Sequence, residues 1–351
     1  MITINIRGID RLEFGIDIID YKNKFRPILL ELKEKKETGQ ELGMTQQVNY
    51  KDLLFDVGAT GIKFYAYKIT CKDFMMAFAE KLTNENPPIR VIFNASYLWS
   101  YGYKKAYSKF LDWFKIFPGE IEKTRLSRLD ICLDTDRLAF SEEDRDLFIT
   151  RARAKANHYV DDSYTYGKKF SGFTIGRGNP MLARIYNKKL EIETKGKEWF
   201  KEIWKENGWN EKDDVWRIEY QLRRKALKEL SIDKVEDVSE KEDQLWHYLT
   251  TNYLKMDHPK WEVIKKPLKP ELNPLIREKI KQGDLKKLTN QVNGLIISIG
   301  AYIDKSNIDE VQKYIKANSE ARLKLKNTSF KNEVQKRRMS YLEDLKKLEG
   351  I

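Results

Sequence analysis

The chain has 351 residues, of which 41% are hydrophobic, enough for a sizeable core and too many for a globally disordered polymer. Its 66 Lys and Arg exceed 54 Asp and Glu by a net charge of +12, which points to a polyanionic partner, nucleic acid before membrane. The spacing of Cys71, Cys132, His158, His247 and His258 excludes a zinc motif, a disulfide framework and a histidine-built metal centre.

The N-terminal "MITINIRGIDRLEFGIDI" alternates and carries charge, so it predicts one or two strands and no signal peptide. A charged helix follows at "FRPILLELKEKKETG", then strands around a Gly turn in "VNYKDLLFDVGATGIKFYAYKIT". "CKDFMMAFAEKLT" reads as a helix, and "PPIRVIFNASYLWSYG" as a short strand running into an aromatic loop or helix. "YKKAYSKFLDWFKIF" has helical spacing, with Tyr107, Phe110, Leu111 and Phe114 forming a core stripe. "TRLSRLDICLDTD" is a strand, and a charged helix is expected around "SEEDRDLFITRARAKA". "SYTYGKKFSGFTIGRGNP" predicts a strand pair with Gly-rich turns, followed by the strand "LARIYNKK" and the helix "GKEWFKEIWKENG". "DVWRIEYQLRRKALKEL" starts as a strand and continues as a helix, and "EDQLWHYLTTNYLKM" reads as helical. The prolines of 259–274 mark a junction between a larger domain, 1–258, and a charged helical region, 275–351. The fold class expected is α+β, a largely antiparallel sheet with flanking helices. No apolar run is long enough to span a membrane, and the cysteine usage suits a reducing cytoplasm.

Three of these strands pair an apolar face with a charged one. Side chains alternate along a strand, so Arg128, Asp130, Cys132 and Asp134 share a face. Arg217, Glu219, Gln221 and Arg223 share another, and Arg184, Tyr186 and Lys188 a third. Each face taken singly also fits an antiparallel sheet with its charges in water. Together they offer more. Asp130, Asp134 and Glu219 present hard oxygen ligands suited to Mg²⁺ or Mn²⁺. Tyr186 offers a phenol that Arg184, Lys188 and a metal would favour as phenolate. Tyrosine attack on a phosphodiester conserves its energy in a phosphotyrosine link and permits rejoining, so the set suits a nickase better than a degradative nuclease. Cys132, a soft ligand, is expected only to fill space.

At SRLDICLD (127–134), LARIYNKKLE (182–191) and VWRIEYQLRR (215–224) the chain resembles the replication initiation factors of Gram-positive rolling-circle plasmids and the related relaxases of conjugative elements. Weaker similarity extends the resemblance over roughly residues 50 to 255. It implies strand-specific nicking of double-stranded origin DNA, a 5′-phosphotyrosine intermediate, a divalent metal held by acidic residues, action on single-stranded DNA and a host helicase as partner. By motif, Tyr186 is the nucleophile and Asp130, Asp134 and Glu219 are candidate ligands. Tyr164 and Tyr166 lie close upstream and remain alternative nucleophiles. The basic residues Lys324, Lys326, Lys331, Lys336, Arg337 and Arg338 suggest DNA contacts in the C-terminal region, which is expected to serve origin recognition or homodimer formation. Competing readings are a conjugative relaxase, a DNA-binding protein without activity, and a metal nuclease that uses water.

Overall fold

The structure is a computed structural model that describes residues 4–162, 167–265, 275, 277 and 285–335. Alternation builds its strands: β1 Asn5–Ile18, β2 Gln46–Tyr50, β3 Leu53–Val57, β4 Tyr67–Thr70, β5 Phe74–Phe78, β6 Ile89–Phe93 and β7 Ile121–Thr135. They continue with β8 Phe148–Thr150, β9 Lys155–Asp162, β10 Gly167–Gly176, β11 Met181–Asn187, β12 Trp216–Arg223 and β13 Leu254–Met256. Helices α1 Tyr21–Lys24, α2 Arg26–Leu42, α3 Ala95–Tyr101, α4 Tyr103–Phe114, α5 Lys188–Lys195 and α6 Trp199–Glu206 are interleaved with them. α7 Arg224–Glu229, α8 Val235–Tyr248 and α9 Glu262–Lys265 follow, then α10 Leu285–Tyr302 and α11 Ile308–Leu325.

Among the described residues, eleven strands form one antiparallel sheet in the order β2-β3-β4-β5-β6-β1-β7-β12-β11-β10-β9, and β8 pairs with β13 in a separate ribbon. This is the α+β class expected. The chain divides into two units, Met1–Arg277, which holds the sheet, and Glu278–Ile351, which holds α10 and α11. No helix among the described residues is long and apolar enough to cross a membrane.

One sheet face is apolar. Leu12, Phe14 and Ile16 of β1, Leu129 and Ile131 of β7, and Ile218 and Tyr220 of β12 bury against aromatic and aliphatic residues of the helices, among them Phe110 of α4 and Trp246 of α8. Burying that many large side chains, each worth roughly 1.5–3 kcal/mol, is what holds the sheet to its helices. The stripe Tyr107, Phe110 and Phe114 is buried in this core, and Leu111 packs against it.

The opposite face carries the charges, and it is not open to water as a surface sheet would be. α5 and α6 fold back over one end of it, where Ile192, Phe200 and Trp204 pack with Ile4, Trp209 and Val215. β7 from Leu129 to Thr135 and β12 from Trp216 to Leu222 are therefore buried on both faces.

Four expectations about elements are corrected. "CKDFMMAFAEKLT" contains β5 instead of a helix, because Phe74, Met76 and Phe78 alternate into the core between β4 and β6, and that packing outranks helix propensity. "SEEDRDLFITRARAKA" supplies a short 3₁₀ turn, Glu142–Leu147, β8 and the first residues of β9, since Phe148 is its one buried apolar side chain. α8 ends at Tyr248, and the chain passes through a wide turn, Leu249–Tyr253, into β13. There the Thr250 and Thr251 hydroxyls donate back to the Trp246 and His247 carbonyls at 2.9 and 2.6 Å. Finally, "LARIYNKK" leaves the sheet after Asn187, whose side chain accepts from the Leu190 amide at 3.0 Å and caps α5. Lys188 is thus the first residue of a helix.

Candidate active site

β7, β12 and β11, which carry the three charged faces, are consecutive neighbours in the sheet. Their register sets Arg217 between Asp134 and Tyr186, Glu219 between Cys132 and Arg184, and Gln221 between Asp130 and Leu182. The polar side chains therefore form one lattice. β1 adds a residue to it. A register shift between Ile9 and Arg11 leaves Asp10 as an extra residue facing β7, and such a bulge re-aims a side chain.

A cavity of about 680 Å³ opens over this lattice. It is lined by four carboxylates, Asp10, Asp130, Glu191 and Glu219, and by six cations, Arg11, Arg128, Arg184, Lys188, Lys195 and Lys197. The excess of cations fits an anionic substrate. Tyr186 reaches into it, and its hydroxyl donates to Glu219 Oε2 at 3.0 Å. Arg184 holds the other oxygen, Glu219 Oε1, at 3.0 Å and steadies itself on Gln221 at 3.2 Å. Lys188 Nζ lies 5.6 Å from the Tyr186 ring centre and donates to Glu191 at 2.6 Å.

The electrostatics differ from the expectation for a phenol between cations. Burial, and then the neighbouring Glu219 carboxylate, push the Tyr186 phenol well above its usual value. Burial, together with Asp10 and Asp130, raises Glu219 to about 7. Burial lowers Lys188, and the Arg217 guanidinium lowers it further. A phenol in these surroundings is not a standing phenolate. It is a proton donor already bonded to an acceptor poised near neutrality, the arrangement of a nucleophile with its general base.

The structure brings Asp130 and Glu219 to one cavity but leaves Asp134 out of it. Asp130 and Asp134 are four residues apart on one strand, about 13 Å at the rise of a strand. Asp134 is fully buried, and its carboxylate is enclosed by Arg217 at 2.6 and 2.8 Å and by the Trp204 indole at 3.0 Å. Asp130 is gripped through both oxygens by Arg128 at 2.7 and 2.5 Å. Among the described residues no three His, Cys, Asp or Glu side chains are grouped to hold one metal ion. As arranged, Asp130 and Asp134 are held by arginines and Glu219 by Arg184 and Tyr186, and no step is derived through a metal ion. Cys132 is fully buried between the two aspartates, its thiol pushed well up by burial.

Several lining residues are not sequence candidates, among them Arg11, Glu191, Lys195, Lys197, Asp10 and His158. Asp10 accepts from Arg217 at 2.5 Å and from the Trp99 indole at 3.1 Å. Burial opposes its charge, but Arg217 and Lys188 outweigh it and hold Asp10 at about 2. The signal for Asp10 lies in β1 itself, where the apolar positions slip phase between Ile9 and Leu12. His158 also faces the cavity, its ring nitrogen 2.5 Å from Thr174 Oγ1. Gly172 separates it from Tyr186 in the register, and nothing in an isolated histidine announces that placement. Tyr164, Tyr166, Lys336, Arg337 and Arg338 lie outside the described residues. Lys324, Lys326 and Lys331 are exposed.

The sequence matches no family model and no curated protein. Among solved structures, it is similar to a rolling circle replication initiator protein from Geobacillus stearothermophilus at 14% identity and a TM-score of 0.43, over 82% of this chain and 96% of that one.

Proposed function

We propose that the protein is a DNA nickase and strand transferase in which Tyr186 attacks a phosphodiester. The observation that carries this reading is the 3.0 Å bond from the Tyr186 hydroxyl to Glu219 in a cavity with an excess of cations. The motif resemblance supports it, since the three matching segments are the neighbouring strands β7, β12 and β11.

In the proposed step, Glu219 takes the phenolic proton as the Tyr186 oxygen bonds to phosphorus. The bond from phosphorus to the 3′-oxygen breaks, leaving a 5′-phosphotyrosine and a free 3′-hydroxyl that takes up a proton. Arg184, Arg128 and Lys188 offset the charge that builds on the phosphoryl oxygens, a contribution that assists without reacting. Reversal of the step rejoins the strand. The biological setting we favour is initiation of rolling-circle replication at a double-stranded origin, with a host helicase as partner. A conjugative relaxase would use the same chemistry.

The test is a 5′-blocked, 3′-labelled single-stranded origin oligonucleotide incubated with wild type and Tyr186→Phe, with Mg²⁺ or Mn²⁺ supplied, and run on a denaturing gel. Wild type is expected to carry label as a covalent adduct. Tyr186→Phe keeps the ring and the fold, binds the oligonucleotide and forms no adduct. Cleavage without an adduct would mean that water attacks. Binding without cleavage would mean a DNA-binding protein.

A further inference from the structure

A second cavity, of about 550 Å³, opens on the same charged sheet face, and the reaction proposed above makes no use of it. Its lining includes a single acid, Glu13, and four arginines, Arg90, Arg177, Arg223 and Arg224. The one carboxylate is oversubscribed. Glu13 is buried, pairs with Arg90 and with Arg11, and also lies 3.6 Å from Arg128. Arg224 is occupied elsewhere, bonded to the Leu126 and Asp233 carbonyls at 2.9 and 3.0 Å and to the Asp233 carboxylate.

That leaves Arg177 and Arg223, neither with an acidic partner among the described residues. Arg223 is directly opposite Arg128 in the β12–β7 register, a like-charge pair that opposes the pairing of the strands. Burial, and next the Arg128 charge, lower its affinity for its proton. The turn that carries Arg177 is pinned over the cavity, because the Gly178 carbonyl accepts from Gln221 at 3.2 Å and the Pro180 carbonyl accepts from the Arg223 amide at 2.9 Å. Two cations are thus held at a concave site whose nearest carboxylates, Glu13 and Asp130, are already engaged by other arginines, an arrangement that leaves binding energy for an incoming anion.

The site neighbours the cavity of Tyr186. Arg128 lines the first cavity and reaches Glu13 of the second. From Glu219 to Arg223 is four residues of β12, about 13 Å, a span covered by a few nucleotides of extended strand. We infer that Arg177 and Arg223 form a phosphate-binding subsite for the backbone of the strand whose scissile phosphate sits at Tyr186. The inference rests on the nicking reading for the occupant of the first cavity. Its ligand is the phosphodiester backbone, held without regard to base, since guanidinium forks match phosphate oxygens.

The experiment measures binding of a fluorescein-labelled oligothymidylate to the full chain across a salt series, in a Tyr186→Phe background so that no cleavage intervenes. Arg177→Gln with Arg223→Gln should weaken binding several-fold or more at low salt. It should also flatten the slope of log affinity against log salt by about 1.4, at about 0.7 per phosphate contact on a single strand. The control pair is Lys105→Gln with Lys109→Gln on α4, which packs on the opposite sheet face and removes the same charge; it should leave the slope unchanged. Equal slopes for the arginine pair and its parent would overturn the subsite, as would equal flattening by the lysine pair. Neither result depends on cleavage, so absence of an adduct in wild type would remove the nicking reading and leave this measurement readable.

Discussion

Glu219 answers to two partners, accepting from the Tyr186 hydroxyl and from Arg184 at 3.0 Å each. Its carboxyl is raised from 4.5 to about 7 by burial and by Asp10 and Asp130. A base with that value must lose its proton before it can take one, so adduct formation should rise with pH and level off above about 7. Glu219→Gln should slow the reaction by about 10²- to 10⁴-fold and abolish that limb of the pH profile. Stability should respond in the opposite sense. A carboxyl raised in the folded state contributes fully below its unfolded value, and that contribution is lost as pH rises through about 7. Glu219→Gln cannot ionise, so in thermal melts it should gain on wild type as pH rises from 5 to 8, by up to on the order of 3 kcal/mol. A gain of the same size at pH 5 would show that the carboxyl is not raised. Asp134 behaves differently, since it is the buried counter-ion of Arg217. Asp134→Asn leaves a buried guanidinium short of a partner and should cost about 3–5 kcal/mol in denaturant unfolding, with any loss of activity following the loss of fold.

The elements that carry the site meet at narrow tolerances. Gly172 of β10 lies opposite Tyr186 with φ of +147°, and an added Cβ would sit 2.1 Å from the Ile185 carbonyl and 2.6 Å from Tyr186 Cα. Gly172→Ala should therefore push β10 from β11 and reduce adduct formation more than Asn187→Ala, which removes only the α5 cap, at about 1 kcal/mol. Comparative hydrogen exchange over Met181–Asn187 distinguishes the two, with protection lost in the glycine variant alone. Strand alternation made the lattice of β7, β12 and β11 legible in the sequence, because period two fixes which residues share a face whatever lies beyond it. What covers that face was not legible. The helix at Trp199–Glu206 was readable, but its docking over Asp134 depends on Trp204 finding a partner 70 residues away. Beneath that helix Asp134 is half of a buried ion pair with Arg217. Asp10 was hidden for a related reason, since a bulge changes the parity on which a face assignment rests. β5 is not legible as a strand, because Met and Ala tolerate either periodicity and its neighbours decide.

At the scale of the whole chain, chemistry and selection of DNA are expected to separate. The unit Met1–Arg277 contains the sheet and both cavities, and its last residue, Arg277, is tied to Glu229 at 2.7 and 2.5 Å. A chain ending after Arg277 retains that tie. It should still cut a single-stranded oligonucleotide and should lose preference for the duplex origin, with Lys324, Lys326 and Lys331 removed. Retention of full origin preference in a competition assay would place selection in the first unit. The nicking reading depends on which atom becomes bonded to DNA. The most direct test is mass spectrometry of wild type after reaction with single-stranded origin DNA, nuclease digestion and proteolysis. The prediction is a nucleotide mass on the peptide that contains Tyr186, absent from Tyr186→Phe. A nucleotide on Tyr164 or Tyr166, or an adduct that persists in Tyr186→Phe, would contradict it.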